Sequence, residues 1–263
     1  MKVFNASGNE APAVRHDRID ALRALAMLWM TAFHFSFDLD HFGYIRQNFY
    51  QNPVWTWQRT GIVGLFLLCA GIGQTLAVRQ GQGWPRFWRR WAQVAGCALL
   101  VSAGSWLMFG PRWISFGVLH GMVLMLIVVR WLLVRGWLRG AVPWVAGAAL
   151  VLAAPWLGEA LRELAPPALR AAFDSRWLNW LGVISHKPLT EDYVPLLPWL
   201  GVMLWGVGAA QALAAAAWLR APLGTFGRAL ATLGRWSLSY YMLHQPMLIG
   251  GLMALGALRR MGA

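Results

Sequence analysis

Acidic residues are scarce in this sequence, and charge of either sign is sparse. Asp and Glu together number 10 against 23 Lys and Arg, and charged residues make up 13% of the chain. A net charge of +13 suggests nucleic-acid binding at first sight. The basic residues, however, fall between hydrophobic runs, as they do in the cytoplasmic loops of membrane proteins. We therefore expect the lipid bilayer as a partner and no nucleic acid.

Cysteine pairs, metal-ligand clusters and internal repeats are lacking as well. Cys69 and Cys97 both lie inside hydrophobic runs, which argues against a disulfide framework. No cysteine–histidine spacing resembles a zinc site, so we predict no bound metal. The inverted repeats of many transporters are absent. Residues 1–17 show no cleavable signal pattern but are polar, which predicts a mobile cytoplasmic segment.

Long hydrophobic runs are what the sequence has in abundance. Hydrophobic residues make up 58% of it, Trp occurs 18 times and the mean hydropathy is +0.48, values typical of an integral membrane protein. The runs do not alternate with period two, which favours helices over an outer-membrane barrel. We predict an all-α, polytopic transmembrane bundle of about seven helices, or eight, in a single domain over residues 18–260. The predicted spans cover residues 20–39, 60–78, 91–109, 114–134, 140–158, 194–219 and 234–257.

The basic residues also indicate an orientation. With the N-terminus in the cytoplasm, the inner loops hold more Lys and Arg than the outer loops, as the positive-inside rule requires. The strongest indication comes from Arg86, Arg89 and Arg90, which we interpret as a topology signal first and as an attractor of anions second. Two long connections, residues 40–59 and 159–193, then lie outside, and connections of this length are often functional.

Two prolines follow the second of these connections. Pro195 and Pro198 lie at the start of the sixth span, where they are expected to kink the helix and to free backbone groups near the outer face. Asp192 and Tyr193 precede them at the outer mouth of this span. We treat both as candidate pocket residues that contact an extracytoplasmic substrate; the alternative is a solvated loop.

The first span carries four ionisable side chains in or beside it, namely Asp20, Arg23, His34 and Asp38. Such groups are costly in lipid and usually face the protein interior or a wet cavity. Arg23 and His34 are separated by close to three helical turns, so both lie on one face of a helix, about 16 Å apart along its axis. His34 and Asp38 are an i,i+4 pair and are able to touch.

These spacings suggest roles for the side chains. A carboxylate next to an imidazole fixes the tautomer and raises the basicity of the ring, so His34 and Asp38 are candidate catalytic residues, with His34 as a general base. A guanidinium matches phosphate geometry, so Arg23 is a candidate ligand-binding residue; alternatively it extends to the lipid headgroups. His120 and His244 are further candidate pocket residues. The alternative role is helix packing for His120 and, for His244, satisfying backbone groups that Pro246 frees.

Several segments resemble a known family. RIDALRALAMLWMTAFHF is similar to the first helix of transmembrane acyltransferases. In their acyltransferase-3 branch the signature is Arg or Lys, ten residues and His, which here falls on Arg23 and His34. A closer resemblance is to the bacterial group named for the catalytic domain of heparan-alpha-glucosaminide N-acetyltransferase. The segments that carry it, in the expected order, are FHFSFDLDHFG, GLFLLCAG, SFGVLHGM, DYVPLLPWLGV and LGRWSLSYYMLHQP.

The resemblance implies an acyltransferase of the bacterial inner membrane. Acetyl-CoA would be the acyl donor on the cytoplasmic side, and a sugar amine or hydroxyl of a cell-envelope glycan would be the acceptor. His34 would act as general base or as a transient acyl carrier, Asp38 would orient it, and Arg23 would hold the donor. Direct and ping-pong transfer both stay open. In the human lysosomal enzyme after which this group is named, the catalytic histidine corresponds to His34, to His41 or to neither.

Two other functions are compatible with the same residues. A small-solute or proton-coupled transporter would also carry ionisable groups within the membrane. A membrane electron carrier would bind haem through axial ligands chosen among His34, His120 and His244. The oligomeric state stays open, a homo-oligomer included.

Overall fold

The structure of the protein is a computed structural model, which describes residues 15–213, 217–219 and 221–261. Most of the predicted mobile segment 1–17 therefore lies outside the described residues. The described part contains no β-strand and nine α-helices: α1 (Asp17–His41), α2 (Pro53–Arg79), α3 (Trp84–Phe109), α4 (Val118–Val134), α5 (Val142–Leu164), α6 (Pro167–Asp174), α7 (Leu196–Leu213), α8 (Thr225–Arg235) and α9 (Ser237–Met261). Short 3₁₀ helices cover Gly110–Arg112, Asn179–Leu181 and Ala217–Leu219.

Each predicted span contains one long helix, and the predicted all-α transmembrane bundle is confirmed. Five helices, α2, α3, α5, α7 and α9, are long and apolar enough to cross a membrane, and α4 is apolar but shorter, at 17 residues. Helix α1 has 25 residues, about 37 Å at 1.5 Å per residue, but Arg23, His34 and Asp38 lower its hydropathy. The protein is thus an integral membrane protein.

Helix α3 begins before the span predicted for it. It starts at Trp84 with Pro85 in its first turn, because proline suits a position whose N–H would have no helical partner. The cluster of three arginines is therefore on the helix rather than in a loop. Arg86 and Arg90 are four residues apart and share one face of the helix.

Helix α7 lies centrally, between α2 and α5. Its glycines allow close approach of the backbones, since a Cβ at Gly206 would clash with the Leu68 carbonyl of α2. At the start of α7, Leu197 has the extended torsions φ −97° and ψ 131°. The residue before a proline avoids the helical region, so the kink predicted at Pro198 is confirmed.

Helix α1 has different neighbours along its length. The short amphipathic α8 packs on its N-terminal half so closely that a Cβ at Gly234 would clash with the Asp20 carbonyl. The C-terminal half faces α9, whose Tyr240 hydroxyl is 2.7 Å from Thr31 Oγ1. The two ends of α1 consequently lie in different surroundings, and a cavity opens at each.

Candidate active site

A cavity of about 390 Å³ opens beside the start of α1. It is formed by the first turns of α1, the end of α2 with the turn after it, the start of α3 and the end of α8. The ionisable residues of its lining, which define the Arg-rich cavity, are Arg15, His16, Asp20, Arg23, Arg86, Arg90 and Arg235. These side chains come from distant parts of the chain and meet only because α8 and α3 both pack near α1.

Among the residues that the structure describes, arginines outnumber carboxylates around the Arg-rich cavity. Arg23 Nη1 is 2.7 Å from Asp20 Oδ1, one helical turn away. Arg235 Nη2 is 2.8 Å from Asp17 Oδ1. Among the described residues, five arginines and one aspartate line the cavity, and an excess of basic side chains attracts anionic ligands. The structure thus places the predicted ligand-binding residue Arg23 in a cavity suited to an anion.

A second cavity, of about 240 Å³, lies at the other end of α1. The residues that line it, and define the mixed-charge cavity, are Phe37, Asp40, His41, Tyr50, Phe109, Arg112 and Glu191. Arg112 Nη2 is 2.7 Å from Glu191 Oε1 and donates to the Tyr50 hydroxyl at 2.8 Å, which donates in turn to Glu191 Oε2 at 3.0 Å. Burial and the neighbouring Glu191 raise the pKa of the Tyr50 phenol, so it remains a proton donor.

A row of polar side chains joins α1 to α9 between the two cavities. The residues of this polar seam are Thr31, His34 and Asp38 of α1 and Tyr240, His244 and Gln245 of α9. The α1 positions are three and four residues apart, which puts them on one stripe of the helix. The rings of His34 and His244 meet edge to face, with centroids 5.2 Å apart. Lipid offers polar groups no partner, so these groups face one another inside the protein.

The carboxylate of Asp38 is bound by the facing helix. Asp38 is 3% exposed, and both its oxygens accept from Gln245 Nε2, at 2.9 and 3.1 Å. No hydrogen bond joins this carboxylate to His34 within the described ranges. The contact predicted from the i,i+4 spacing is not formed, because an amide on α9 satisfies the carboxylate instead. The part of Asp38 in catalysis stays a prediction.

His120 is bonded at both ring nitrogens. Its Nδ1 accepts from the Gly117 N–H at 3.3 Å, and its Nε2 is 3.0 Å from Ser102 Oγ. The Ser102 hydroxyl donates to the Ile114 carbonyl at 2.7 Å, so its proton is already used and Nε2–H of His120 must be the donor. His120 therefore ties α3 to the start of α4 and lines neither cavity, which favours the packing role.

Asp192 and Tyr193 hold the outer connection in place. Asp192 Oδ2 accepts from the Val118 N–H at 2.8 Å and so caps α4, and the Tyr193 hydroxyl donates to the Asn179 carbonyl at 2.6 Å. Burial raises the pKa of the Asp192 carboxyl. Neither residue lines either cavity, whereas the adjacent Glu191 does. Substrate contact by Asp192 or Tyr193 stays a prediction.

Arg86, Arg90, Tyr50, Arg112 and Glu191 are among the cavity residues that were not predicted as site residues. Arg86 and Arg90 were interpreted chiefly as a topology signal, although their i,i+4 spacing indicates one shared face. The secondary interpretation, attraction of an anion, is the one that their place in the Arg-rich cavity favours. Tyr50, Arg112 and Glu191 lie in three separate connections, and no local pattern in the sequence relates them.

The geometry bears on two other kinds of site. Two axial ligands need a macrocycle between their rings, but the rings of His34 and His244 are in direct edge contact, and His120 has no free nitrogen. In this arrangement there is no space for a macrocycle between His34 and His244, and the alternative haem function stays a prediction. Among the residues that the structure describes, no group of three or more His, Cys, Asp or Glu side chains could hold a metal ion.

The fold and the distribution of polar groups define a class of protein: a polytopic helical membrane protein with ionisable side chains inside its bundle and a cavity at each end. Residues 15–246 match the model of a family described as "Heparan-alpha-glucosaminide N-acetyltransferase, catalytic". The chain belongs to this family, as the sequence motifs indicated, and membership supports an acetyltransferase activity. No curated protein and no solved structure matches the chain.

Proposed function

We propose that the protein is an acetyltransferase that uses cytoplasmic acetyl-CoA to acetylate a sugar amine or hydroxyl of a cell-envelope glycan across a bacterial inner membrane. The observation that supports this most is the course of α1. Arg23 lines the Arg-rich cavity, His41 lines the mixed-charge cavity, and His34 lies between them on the same helix. One helix connects a site suited to an anionic donor with a site suited to a polar acceptor.

The donor fits the Arg-rich cavity by charge and by length. Coenzyme A carries several phosphates, and arginine forms bidentate, charge-assisted bonds with phosphate oxygens. Arg23, Arg86 and Arg90 are the residues of the lining that we assign to these phosphates. From Arg23 to His34 is about 16 Å along the helix, a distance that an extended pantetheine arm is about long enough to cover. The positive-inside rule supports a cytoplasmic position for this cavity.

The acceptor fits the mixed-charge cavity. Sites for small polar ligands combine apolar and aromatic walls with a few placed polar groups. Here Phe37 and Phe109 supply the walls, and Asp40 and Glu191 supply carboxylates that accept hydrogen bonds from sugar hydroxyls or a protonated amine. The cavity is seven residues or less beyond His34 along α1, about 10 Å at most, so a glycan end held there reaches the polar seam.

The chemistry needs one proton acceptor and one electrophile. The nitrogen or oxygen of the acceptor attacks the thioester carbonyl, the new bond to carbon forms, the carbon–sulfur bond breaks, and coenzyme A leaves as a thiol. His34 lies where it can serve as the base that takes the acceptor proton, or as a carrier that holds the acetyl group between two half-reactions. In both schemes the Arg-rich cavity binds the donor and takes no part in bond making.

The test is to measure binding and hydrolysis of acetyl-CoA by the protein purified in detergent. His34→Ala is expected to bind acetyl-CoA but to lose cleavage of the thioester, and Arg23→Ala is expected to bind it weakly. His186→Ala and Arg139→Ala are the matched controls, because neither residue lines a cavity, and both are expected to behave as the wild type.

Two results would count against the proposal. One is a wild-type protein that neither binds nor cleaves acetyl-CoA, which would remove the donor. The other is flux of a solute through the protein in liposomes without any thioester cleavage, which is what the alternative transporter function predicts. Equal effects of Arg23→Ala and Arg139→Ala would leave the Arg-rich cavity without its assigned ligand.

A further inference from the structure

The imidazole of His244 is held in a single tautomer by its own helix. Its Nδ1 is 2.7 Å from the Tyr241 carbonyl oxygen, and because a carbonyl only accepts, Nδ1 must carry the proton. A neutral imidazole has one N–H, so Nε2 carries the lone pair. This assignment of the proton does not require hydrogen atoms to be observed, because only the ring nitrogen of this pair is able to donate.

The free nitrogen of this ring is buried without a partner. His244 is 8% exposed, and its Nε2 makes no hydrogen bond to any described residue. Leaving a buried polar atom unsatisfied is destabilising, and such atoms are rare enough to call for an explanation. His120 shows the contrast, because both of its ring nitrogens are bonded.

The proline in α9 does not explain the hydrogen bond that His244 makes. Pro246 lacks an N–H and therefore leaves free the carbonyl four residues before it, that of Met242. His244 bonds the Tyr241 carbonyl instead. The packing role predicted for His244, which was to satisfy backbone freed by the proline, is thus not the role that the structure shows.

The surroundings fix the ring in space beside His34. The ring of Tyr240 stacks on that of His244, with an interplanar angle of 4° and centroids 6.0 Å apart. The ring of His34, on α1, meets that of His244 edge to face, with centroids 5.2 Å apart. One residue further along α9, Gln245 binds Asp38, which holds the two helices in register. His34 itself makes no hydrogen bond to a described residue, so its tautomer is free to change.

We propose that His244, in place of His34, is the general base of the acyl transfer, and that His34, whose ring contacts that of His244, stabilises His244 once it is protonated. Nε2 of His244 takes the proton of the attacking amine, hydroxyl or water as the new bond to the acetyl carbon forms and the carbon–sulfur bond breaks. The sulfur then receives that proton, and coenzyme A leaves as a thiol. The ring of a neutral His34, whose centroid is 5.2 Å away, stabilises the positive charge of the protonated His244. This inference rests on the proposed function.

The kinetic test uses hydrolysis of acetyl-CoA and transfer to glucosamine as probe reactions. His244→Gln is expected to lower kcat by about 100- to 10,000-fold, the range for general base catalysis, with an unchanged Kd for acetyl-CoA and an unchanged thermal unfolding temperature. His34→Gln combined with His244→Gln is expected to cost no more than the larger single effect, because residues that act as a unit are not additive. His186→Gln is the matched control and is expected to keep wild-type rates.

A spectroscopic test separates failure of this inference from failure of the proposed function. In protein labelled with ¹⁵N-histidine, His244 is expected to show a protonated Nδ1 and a bare Nε2, assigned by loss of its signals in His244→Gln. This result does not depend on any enzymatic activity. Three results would each overturn the inference. The first is a protonated Nε2 on His244, and the second is a wild-type kcat in His244→Gln. The third is a double variant whose loss of kcat equals the product of the losses in the two single variants.

Discussion

The two cavities at the ends of α1 differ in how their charges are balanced. In the Arg-rich cavity, arginines from three helices outnumber the carboxylates of the part of the chain that the structure describes. In the mixed-charge cavity, Arg112, Tyr50 and Glu191 neutralise one another in a closed set of hydrogen bonds. The first therefore favours an anionic ligand, whereas the second pairs its arginine with Glu191 and suits a polar ligand of low charge.

The largest expected effect is on donor binding. Arg23→Gln combined with Arg90→Gln is expected to weaken acetyl-CoA binding by about 100-fold or more, because each charge-assisted hydrogen bond contributes roughly 1.5–3 kcal/mol. Arg112→Gln, in the opposite cavity, is expected to leave this affinity unchanged. Equilibrium binding of acetyl-CoA to the three proteins in lipid nanodiscs measures both. A similar loss for Arg112→Gln would erase the distinction between the cavities.

Salt is expected to separate the two cavities without any substitution. Raising the ionic strength from about 0.05 to 0.5 M shortens the Debye length severalfold, and acetyl-CoA binding should weaken by about tenfold because it depends on unbalanced positive charge. The KM of a neutral sugar acceptor should change by less than about twofold. Titrating both substrates across this range checks the prediction, and a salt-insensitive Kd for acetyl-CoA would contradict it.

On the acceptor side the expected effect is smaller. Glu191→Gln removes the negative charge to which Arg112 and Tyr50 are both bonded. We expect this change to weaken acceptor binding by about 1 kcal/mol, which should raise the KM for glucosamine by about fivefold. The Kd for acetyl-CoA should stay the same. Glu159→Gln serves as the control, since Glu159 pairs with Arg162 on α5 outside the cavity. A higher KM in both variants would mean that Glu191 has no special place in the site.

The smallest effects concern pH and the outer connection. Hydrogen bonds from Ser185 and His186 outweigh burial and lower the pKa of Asp174 below 3.8. The stability that Asp174 contributes is therefore present above its pKa in the unfolded state and is lost as the pH falls through its pKa in the folded state. Burial raises the pKa of Asp192, so its contribution is largest in acid and is lost as the pH rises through the folded value.

Substitution by asparagine should remove each of these trends. Asp174→Asn is expected to flatten the acid side of the profile of unfolding temperature against pH, by a few degrees at most. Asp192→Asn retains an oxygen to cap α4 and is expected to flatten the decline towards neutral pH. Thermal unfolding in detergent between pH 3 and 7 measures both. Parallel shifts of the whole profile, without a change of shape, would contradict the assignment.

Part of the candidate site could be predicted from the sequence. The place of Arg23 on the same face as His34 followed from the helical period alone, and the structure puts Arg23 in a cavity suited to an anion. Arg86 and Arg90 showed the right spacing, but a basic cluster at a helix end has the same composition whether it marks topology or lines a site. Only the packing of α8 and α1 near this basic cluster makes it part of the lining of a cavity.

Contacts between distant segments were beyond prediction. Asp38 had a neighbour of suitable chemistry one turn away, yet it binds Gln245, 207 residues further along the chain. Tyr50 meets Glu191 across 141 residues. Such partners depend on how whole helices and connections pack against one another, and no local pattern of hydrophobicity or propensity records that choice.

What the sequence by itself determined is the set of seven spans, their helical form and the stripe of polar groups on α1. Length and hydrophobicity decide these locally, because a backbone in lipid must satisfy its own hydrogen bonds. The tertiary structure alone decided which polar groups meet, including the approach of His34 to His244 and of Asp38 to Gln245. The reason is that buried polar side chains must find partners on whichever helix packs beside them, and that helix comes from the opposite end of the chain.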